Sequence, residues 1–358
     1  MHHALTLAER GLFSTDPNPR VGCVFVKDQQ IIAEGWHEQA GELHAEAMAI
    51  KNARQDLAGS DCYVTLEPCS HHGRTPPCAQ ALIEVGIKRL IVAMEDPNPQ
   101  VAGTGLHAIE SAGIQVEHGL FQEQAKQLNQ GFIKRMTDGL PYVRLKMGMS
   151  MDAKTAMASG ESQWITCPEA RQQVQKLRAM SGAVITGRFT VLSDNPSMNV
   201  RIDELPEEYQ TARINQPLRV VMDSKRSLSG QERIFQLDDN ALWVVSDTAS
   251  TEQAPVSMLK APVKIGHRIE LPFVLKHLAE QGINEVLVEA GSKLAGAFVA
   301  EDLVDEIHLF MAPKILGHEA SGLLHMPGME RLAEAKQFTF SSANPIGSDV
   351  QLVFKRAN

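Results

Sequence analysis

His44-Ala45-Glu46, followed by the two steps Pro68-Cys69 and Pro77-Cys78, is the feature that most restricts what this chain can fold into. One imidazole, two thiols and one carboxylate act together only if the backbone gathers them, and the flanking patterns say how. His44 to Asn52 is helical in composition, so His44 and Glu46 open a helix. Asp61 to Leu66 is a β-rich run ending at Glu67-Pro68-Cys69, and Pro76-Pro77 is a rigid lead-in to a second helix, Cys78 to Val85. Zinc takes nitrogen and thiolate ligands tetrahedrally, and three protein ligands leave a fourth position for water, which separates a catalytic site from a closed structural one. His44, Cys69 and Cys78 are therefore candidate ligands. Glu46, two residues from His44, reaches the same open position without ligating and is the candidate proton shuttle. The same residues also suit a structural zinc site with a fourth ligand from elsewhere, or plain burial. Cys23, Cys62 and Cys167 lack such a context and read as small buried residues.

Around this constellation the first 140 residues alternate strand and helix. Val21 to Val26 and Ile31 to Trp36 form a hairpin, Lys88 to Met94 and Ile114 to Glu117 are strands, and Ala102 to Ala112 and Gln122 to Met136 are helical. The order β-β-α-β-α-β-α-β predicts an α/β/α sandwich. Gly139-Leu140-Pro141 punctuates the chain, and Tyr142 to Met147 starts a fresh apolar strand, so a boundary is placed there: 1–140 and 141–358. Beyond it, strands at Ala183 to Thr186, Leu218 to Met222, Leu242 to Ser246, Glu285 to Glu289, Glu306 to Met311 and Val350 to Phe354 alternate with helical patterns, giving a second α/β domain. A chain of 358 residues exceeds what one core usually organises, in agreement with two domains.

The stretch Glu67-Pro-Cys-Ser-His-His-Gly-Arg-Thr-Pro-Pro-Cys78, with the upstream Pro17-Asn-Pro-Arg-Val-Gly-Cys23, resembles the deaminase half of the bifunctional riboflavin-biosynthesis deaminase/reductase family. Base deaminases in general carry P-C-x-x-C; here eight residues, Ser70 to Pro77, separate the cysteines. No G-x-G-x-x-G follows a strand, so a standard dinucleotide fingerprint is absent. Lys146-Met-Gly-Met-Ser-Met-Asp152, Ser159-Gly-Glu-Ser-Gln-Trp-Ile-Thr166, Thr190-Val-Leu-Ser-Asp-Asn-Pro196 with Arg201, and Val288-Glu-Ala-Gly-Ser-Lys-Leu-Ala-Gly296 are instead similar to the reductase half of the same family. The resemblance thus spans the chain. It implies a cytidine-deaminase-like α/β/α domain followed by a dihydrofolate-reductase-like α/β domain, with zinc and NADPH as cofactors.

Residue by residue, the resemblance implies that Asn18 touches the pyrimidine and that His37, His71 and Arg74 contact the substrate phosphate. It makes Gly148, Trp164, Thr190, Asp194, Gly291 and Ser292 cofactor contacts, gives Ser162, Arg178, Arg201 and Glu289 to the substrate's phosphate and ribityl chain, and turns Lys146 toward the reacting carbon. Read alone, Arg178 is a surface salt-bridge residue, Lys146 could be a strand-end lysine, and Glu289 to Gly296 is equally an ordinary glycine turn; as a strand-to-helix turn, the same segment also offers free N–H groups to a pyrophosphate. One departure stands out: Asp152-Ala153-Lys154 has alanine where the family has glycine, which strains the loop if that position needs a positive φ.

The formal net charge of −9 and the lack of a basic, aromatic-interleaved patch argue against a nucleic-acid editing deaminase. No apolar run approaches the roughly 20 residues of a membrane helix. The first residues lack an export pattern, and five irregularly spaced cysteines are no disulfide framework, so the expected setting is the cytoplasm. The expected partner is a small phosphorylated pyrimidine, with no nucleic acid and no membrane, in a homo-oligomer, dimer or tetramer by family resemblance. A third alternative is a non-catalytic zinc scaffold, which a complete Cys/His shell would favour.

Overall fold

A computed structural model describes every residue except 71–76, 100, 250–253, 265, 267 and 358. The chain folds as two units, Met1–Leu140 with Ala212–Asn215, and Pro141–Thr211 with Gln216–Asn358.

In the first unit the order is α1 (His2–Glu9), β1 (Gly22–Lys27), β2 (Gln30–Trp36), α2 (Ala45–Asn52), β3 (Asp61–Val64), α3 (Cys78–Val85), β4 (Arg89–Val92), α4 (Thr104–Ser111), β5 (Gln115–His118), α5 (Gln122–Leu128) and α6 (Gln130–Asp138). The strands form one sheet in the order β2-β1-β3-β4-β5. β1 runs antiparallel to β2 and β3, while β3, β4 and β5 are parallel. Strand side chains alternate between faces, and here both faces are apolar. Cys23, Phe25, Cys62, Val64, Leu90 and Val92 pack with Ala45 and Ala49 of α2, Leu82 of α3 and Ile109 of α4. Val24 faces the other way, onto Ala4 and Leu7 of α1. The result is the three-layer sandwich expected from the element order. The helix expected over Gln122 to Met136 breaks at Asn129, whose buried amide both accepts from Arg20 N (2.8 Å) and donates to Arg20 O (2.9 Å).

The second unit contains β6 (Tyr142–Ser150), β7 (Lys154–Ala156), α7 (Pro168–Met180), β8 (Ala183–Gly187), α8 (Arg188–Asp194), β9 (Leu218–Met222), α9 (Arg233–Gln236), β10 (Ala241–Ser246), β11 (Ser257–Ala261), β12 (Val263–Lys264), β13 (Arg268–Ile269), α10 (Leu271–Glu280), β14 (Glu285–Val288), α11 (Ser292–Ala300), β15 (Glu306–Ala312), β16 (Ser321–Gly322), β17 (Phe338–Ile346) and β18 (Asp349–Arg356). Nine strands make its main sheet, in the order β11-β10-β9-β8-β14-β6-β15-β18-β17. It is parallel from β11 to β15 and closes with the antiparallel pair β18 and β17. The central strands are buried on both faces, which is why they read as continuous Val/Ile/Leu runs. The sequence pattern reveals these strands but not β11 and β17, because an exposed edge strand such as Phe338–Ile346 carries no buried apolar face. From the neighbouring strands β8 and β14 the chain departs in opposite directions, to β9 and to β15. In an open α/β sheet that divergence leaves a crevice outside the strands' carboxyl ends.

Candidate active sites

His44 is the N-cap of α2, Cys78 is the first residue of α3, and Cys69 ends the turn after β3. His44 Nδ1 lies 3.6 Å from Cys69 Sγ and 3.4 Å from Cys78 Sγ, and all three atoms fall within 4.8 Å of one another. Ligands sharing a tetrahedral zinc at bond lengths of about 2.0–2.3 Å sit about 3.6 Å apart, so the three fit the metal. A hydrogen bond from Cys78 lowers Cys69 to about 4, against burial and with help from His44, and the same bond together with burial raises Cys78. Glu46 is buried beside them in the first turn of α2, and burial raises its carboxyl to about 7. A carboxyl poised near neutrality can accept and return a proton.

Cys69 is held by a residue whose role the sequence does not reveal. The buried Glu67 carboxylate accepts backbone N–H groups from Asp96 (3.1 Å), Gly103 (3.0 Å) and Gly105 (2.9 Å), tying the start of α4 to the Pro68-Cys69 turn. Ser70 and Thr104 hydroxyls add a second tie at 2.6 Å. The approach is so close that a Cβ on Gly105 would stand 2.0 Å from Pro68 O. The one signal for it in the sequence is a glutamate directly before Pro-Cys.

Asn18 and His37 meet at the same end of this unit. Asn18 Nδ2 is 3.0 Å from His37 Nε2, His37 Nδ1 is 2.9 Å from Leu43 O, and the His37 ring stands edge-on to His44 with centroids 5.6 Å apart. His37 is 3% exposed, and burial lowers its basicity. His71 and Arg74 lie outside the described residues.

In the second unit three of the implied residues, Lys146, Arg178 and Glu289, meet at the carboxyl end of β14. Glu289 follows β14 and is buried, its two oxygens bonded to Arg178 Nε (2.5 Å) and Nη2 (3.1 Å), with Lys146 Nζ at 3.8 Å. Arg178 is thus no surface residue: its remaining guanidinium nitrogen donates to Asn199 O at 3.1 Å. Burial lowers the Lys146 amine, partly offset by Glu289; burial works against Glu289 as a carboxylate, but Arg178 and Lys146 outweigh it and lower its pKa. Arg201 is more accessible, with one nitrogen on Glu204 at 2.6 Å. Gly148 lies on β6, Thr190 and Asp194 on α8, and Gly291 and Ser292 at the start of α11. Gly291 has an ordinary φ of −68°, and a Cβ there would meet nothing within 4 Å, so the space before this helix end is open to a ligand. Trp164 is 65% exposed with Arg171 over its ring at 4.5 Å, and Ser162 precedes it by two residues. Ala153 does take a left-handed φ, +56°. Asp152 fixes that turn by accepting from Ser150 Oγ (2.5 Å) and Gly317 N (2.8 Å).

Comparison with known proteins decides the family. The cytidine and deoxycytidylate deaminase zinc-binding region matches residues 1–94, and the RibD C-terminal domain matches residues 141–352. The riboflavin biosynthesis protein RibD of Escherichia coli is 49% identical over 98% of this chain and 97% of its own length. That of Haemophilus influenzae is 44% identical over 99% and 96%. The chain belongs to the RibD family. Among solved structures, Acinetobacter baumannii RibD superimposes with a TM-score of 0.92 at 42% identity, covering 100% of this chain and 98% of that one. A Thermotoga maritima diaminohydroxyphosphoribosylaminopyrimidine deaminase/5-amino-6-(5-phosphoribosylamino)uracil reductase superimposes with a TM-score of 0.88 at 35% identity, over 100% and 97%. As a RibD protein the chain is a bifunctional deaminase and reductase of riboflavin biosynthesis, with a zinc-binding deaminase domain and an NADPH-dependent reductase domain.

Proposed function

We propose that residues 1–140 deaminate 2,5-diamino-6-(5-phosphoribosylamino)pyrimidin-4-one and that residues 141–358 reduce its ribosyl chain, giving 5-amino-6-(5-phosphoribitylamino)uracil. The observation that carries the first half is the His44, Cys69 and Cys78 triangle with a buried carboxyl, Glu46, beside it. Zinc held by His44, Cys69 and Cys78 would supply an acidified water as the attacking nucleophile. Glu46 would take one proton from the attacking water and deliver it to the ring nitrogen as the C–O bond forms, then take the remaining hydroxyl proton and deliver it to the amino group, which leaves as ammonia when the C–N bond breaks. Asn18 holds the pyrimidine. His71 and Arg74 are assigned to its phosphate from the sequence alone.

NADPH supplies the hydride in the second half. The turn opening α11 at Gly291 and Ser292 has room for a ligand where a Gly291 Cβ would stand, and a helix start suits a pyrophosphate. Gly148, Trp164, Thr190 and Asp194 complete the cofactor side. Lys146, held near Glu289 in a buried ion cluster, faces the reacting carbon, with Ser162, Arg178, Glu289 and Arg201 on the substrate side. Arg201 is the phosphate contact, since its guanidinium has one carboxylate partner and remains accessible, whereas Arg178 is committed to Glu289 and Asn199. The setting is the cytoplasm, supported by five free cysteines, and the assembly is a homo-oligomer, dimer or tetramer, as an expectation from the family. Among the described residues no helix is long and apolar enough to cross a membrane.

The deciding experiment gives the purified chain the diaminopyrimidinone phosphate and follows ammonia release and NADPH oxidation separately. A zinc chelator should stop ammonia release and leave reduction of the deaminated intermediate intact. Equal loss of both activities without unfolding would overturn the two-site assignment.

A further inference from the structure

His37 has a role that its assignment as a phosphate contact does not describe. Its Nδ1 lies 2.9 Å from the carbonyl oxygen of Leu43, the residue before the ligand His44. A backbone carbonyl only accepts, so Nδ1 carries the proton. The ring is 3% exposed and edge-on to His44. The groups facing it are Leu43 O, His44, Asn18 and the more distant Glu42. Asn18 turns its Nδ2 end, which only donates, to Nε2 at 3.0 Å, so Nε2 accepts and carries no proton. That fixes the amide: Asn18 Oδ1 points away from His37, and among the described residues no hydrogen bond takes it up.

We propose that His37 is a positioning residue that locks the Asn18 side chain with its carbonyl oxygen toward the pyrimidine, so that the site selects a ring or amino N–H donor there. The proposal rests on Asn18 as the pyrimidine contact. The order of donors is a relay from the backbone of the metal-binding turn: Leu43 C=O accepts from His37 Nδ1–H, and His37 Nε2 accepts from Asn18 Nδ2–H. Flipping the tautomer would turn the amide over and present NH2 where the substrate also presents N–H.

Two measurements on the full-length zinc-loaded chain test this. Long-range proton–nitrogen NMR of histidine-labelled protein, with the His37 signals identified by their loss in His37→Leu, should show Nδ1 protonated and Nε2 bare. An Nε2–H tautomer or an imidazolium at neutral pH overturns the proposal, and this readout needs no folded variant beyond the assignment. Steady-state ammonia release should show KM raised about tenfold in His37→Leu. His37→Gln, whose side-chain oxygen can still accept from Asn18, should recover most of that loss. The loss should be the same for the phosphorylated substrate and its dephosphorylated form. A loss confined to the phosphorylated form would make His37 a phosphate contact instead. If wild-type protein released no ammonia at all, the proposed activity would fail while the tautomer result stood on its own.

Discussion

Glu306→Gln tests what the buried charges beneath the reductase site contribute. Arg144, two residues before Lys146 on the same face of β6, is buried with Glu285 at 2.7 Å and Glu306 at 3.4 Å. Glu306 also accepts from Tyr142 Oη (3.1 Å) and lies 2.5 Å from His308 Nε2. Burial by itself would raise the Glu306 carboxyl, but the His308 contact and the Arg144 charge outweigh it and hold the group at about 2 instead of 4.5. At about 1.4 kcal/mol per pH unit, that difference is worth about 3 kcal/mol of stability. The sign follows from the depressed value: the contribution is complete above the unfolded value near 4.5 and is lost as pH falls through about 2. At pH 3 about 1.5 kcal/mol should remain. Urea unfolding in a Trp36→Phe background, where fluorescence comes from Trp164 and Trp243 of the second unit, should show Glu306→Gln less stable by about 3 kcal/mol at pH 7 and by half that at pH 3. A deficit under about 1 kcal/mol at pH 7, or one that does not shrink in acid, would refute the reasoning.

Glu46→Gln should keep its zinc and lower deaminase kcat by about 10²- to 10⁴-fold, since the carboxylate moves protons without ligating; metal analysis that finds zinc lost would count against the role. Cys69→Ser should release zinc, because a hard hydroxyl replaces a soft thiolate, and full occupancy in that variant would remove Cys69 from the site. Arg201→Ala should weaken use of the phosphorylated reductase substrate by about ten- to more than hundredfold with NADPH affinity nearly unchanged, whereas Gly291→Val should fill the open space before α11 and weaken NADPH instead. Titrations giving the reverse pattern would exchange the two halves of the pocket. Ala153→Gly should stabilise the second unit by about 0.5–1 kcal/mol, since the left-handed conformation costs alanine about 1–2 kcal/mol and glycine's extra unfolded-state entropy returns part of it; unchanged thermal unfolding would show that this turn carries no strain.

The residue types of the metal site and the two-part α/β order were legible in the sequence, because both are local. His-x-Glu and two Pro-Cys turns carry their chemistry in their side chains, and buried parallel strands announce themselves as short apolar runs between helical segments. What an isolated residue does was not legible. Arg178 reads as a surface cation until β14 places Glu289 under it, and Glu67 reads as part of a motif until the loop after β4 and the start of α4 bring four backbone N–H groups to its carboxylate. Backbone conformation was not legible either: Ala153 has a positive φ, whereas Gly291 has an ordinary one with open space where a Cβ would stand. His37 depends on distance alone, for only the approach of Leu43 O to one ring nitrogen and Asn18 to the other says where its proton sits. Composition and spacing determine which groups are available for chemistry. Partner, burial and protonation belong to pairs of residues far apart in the chain, so only the tertiary structure decides them.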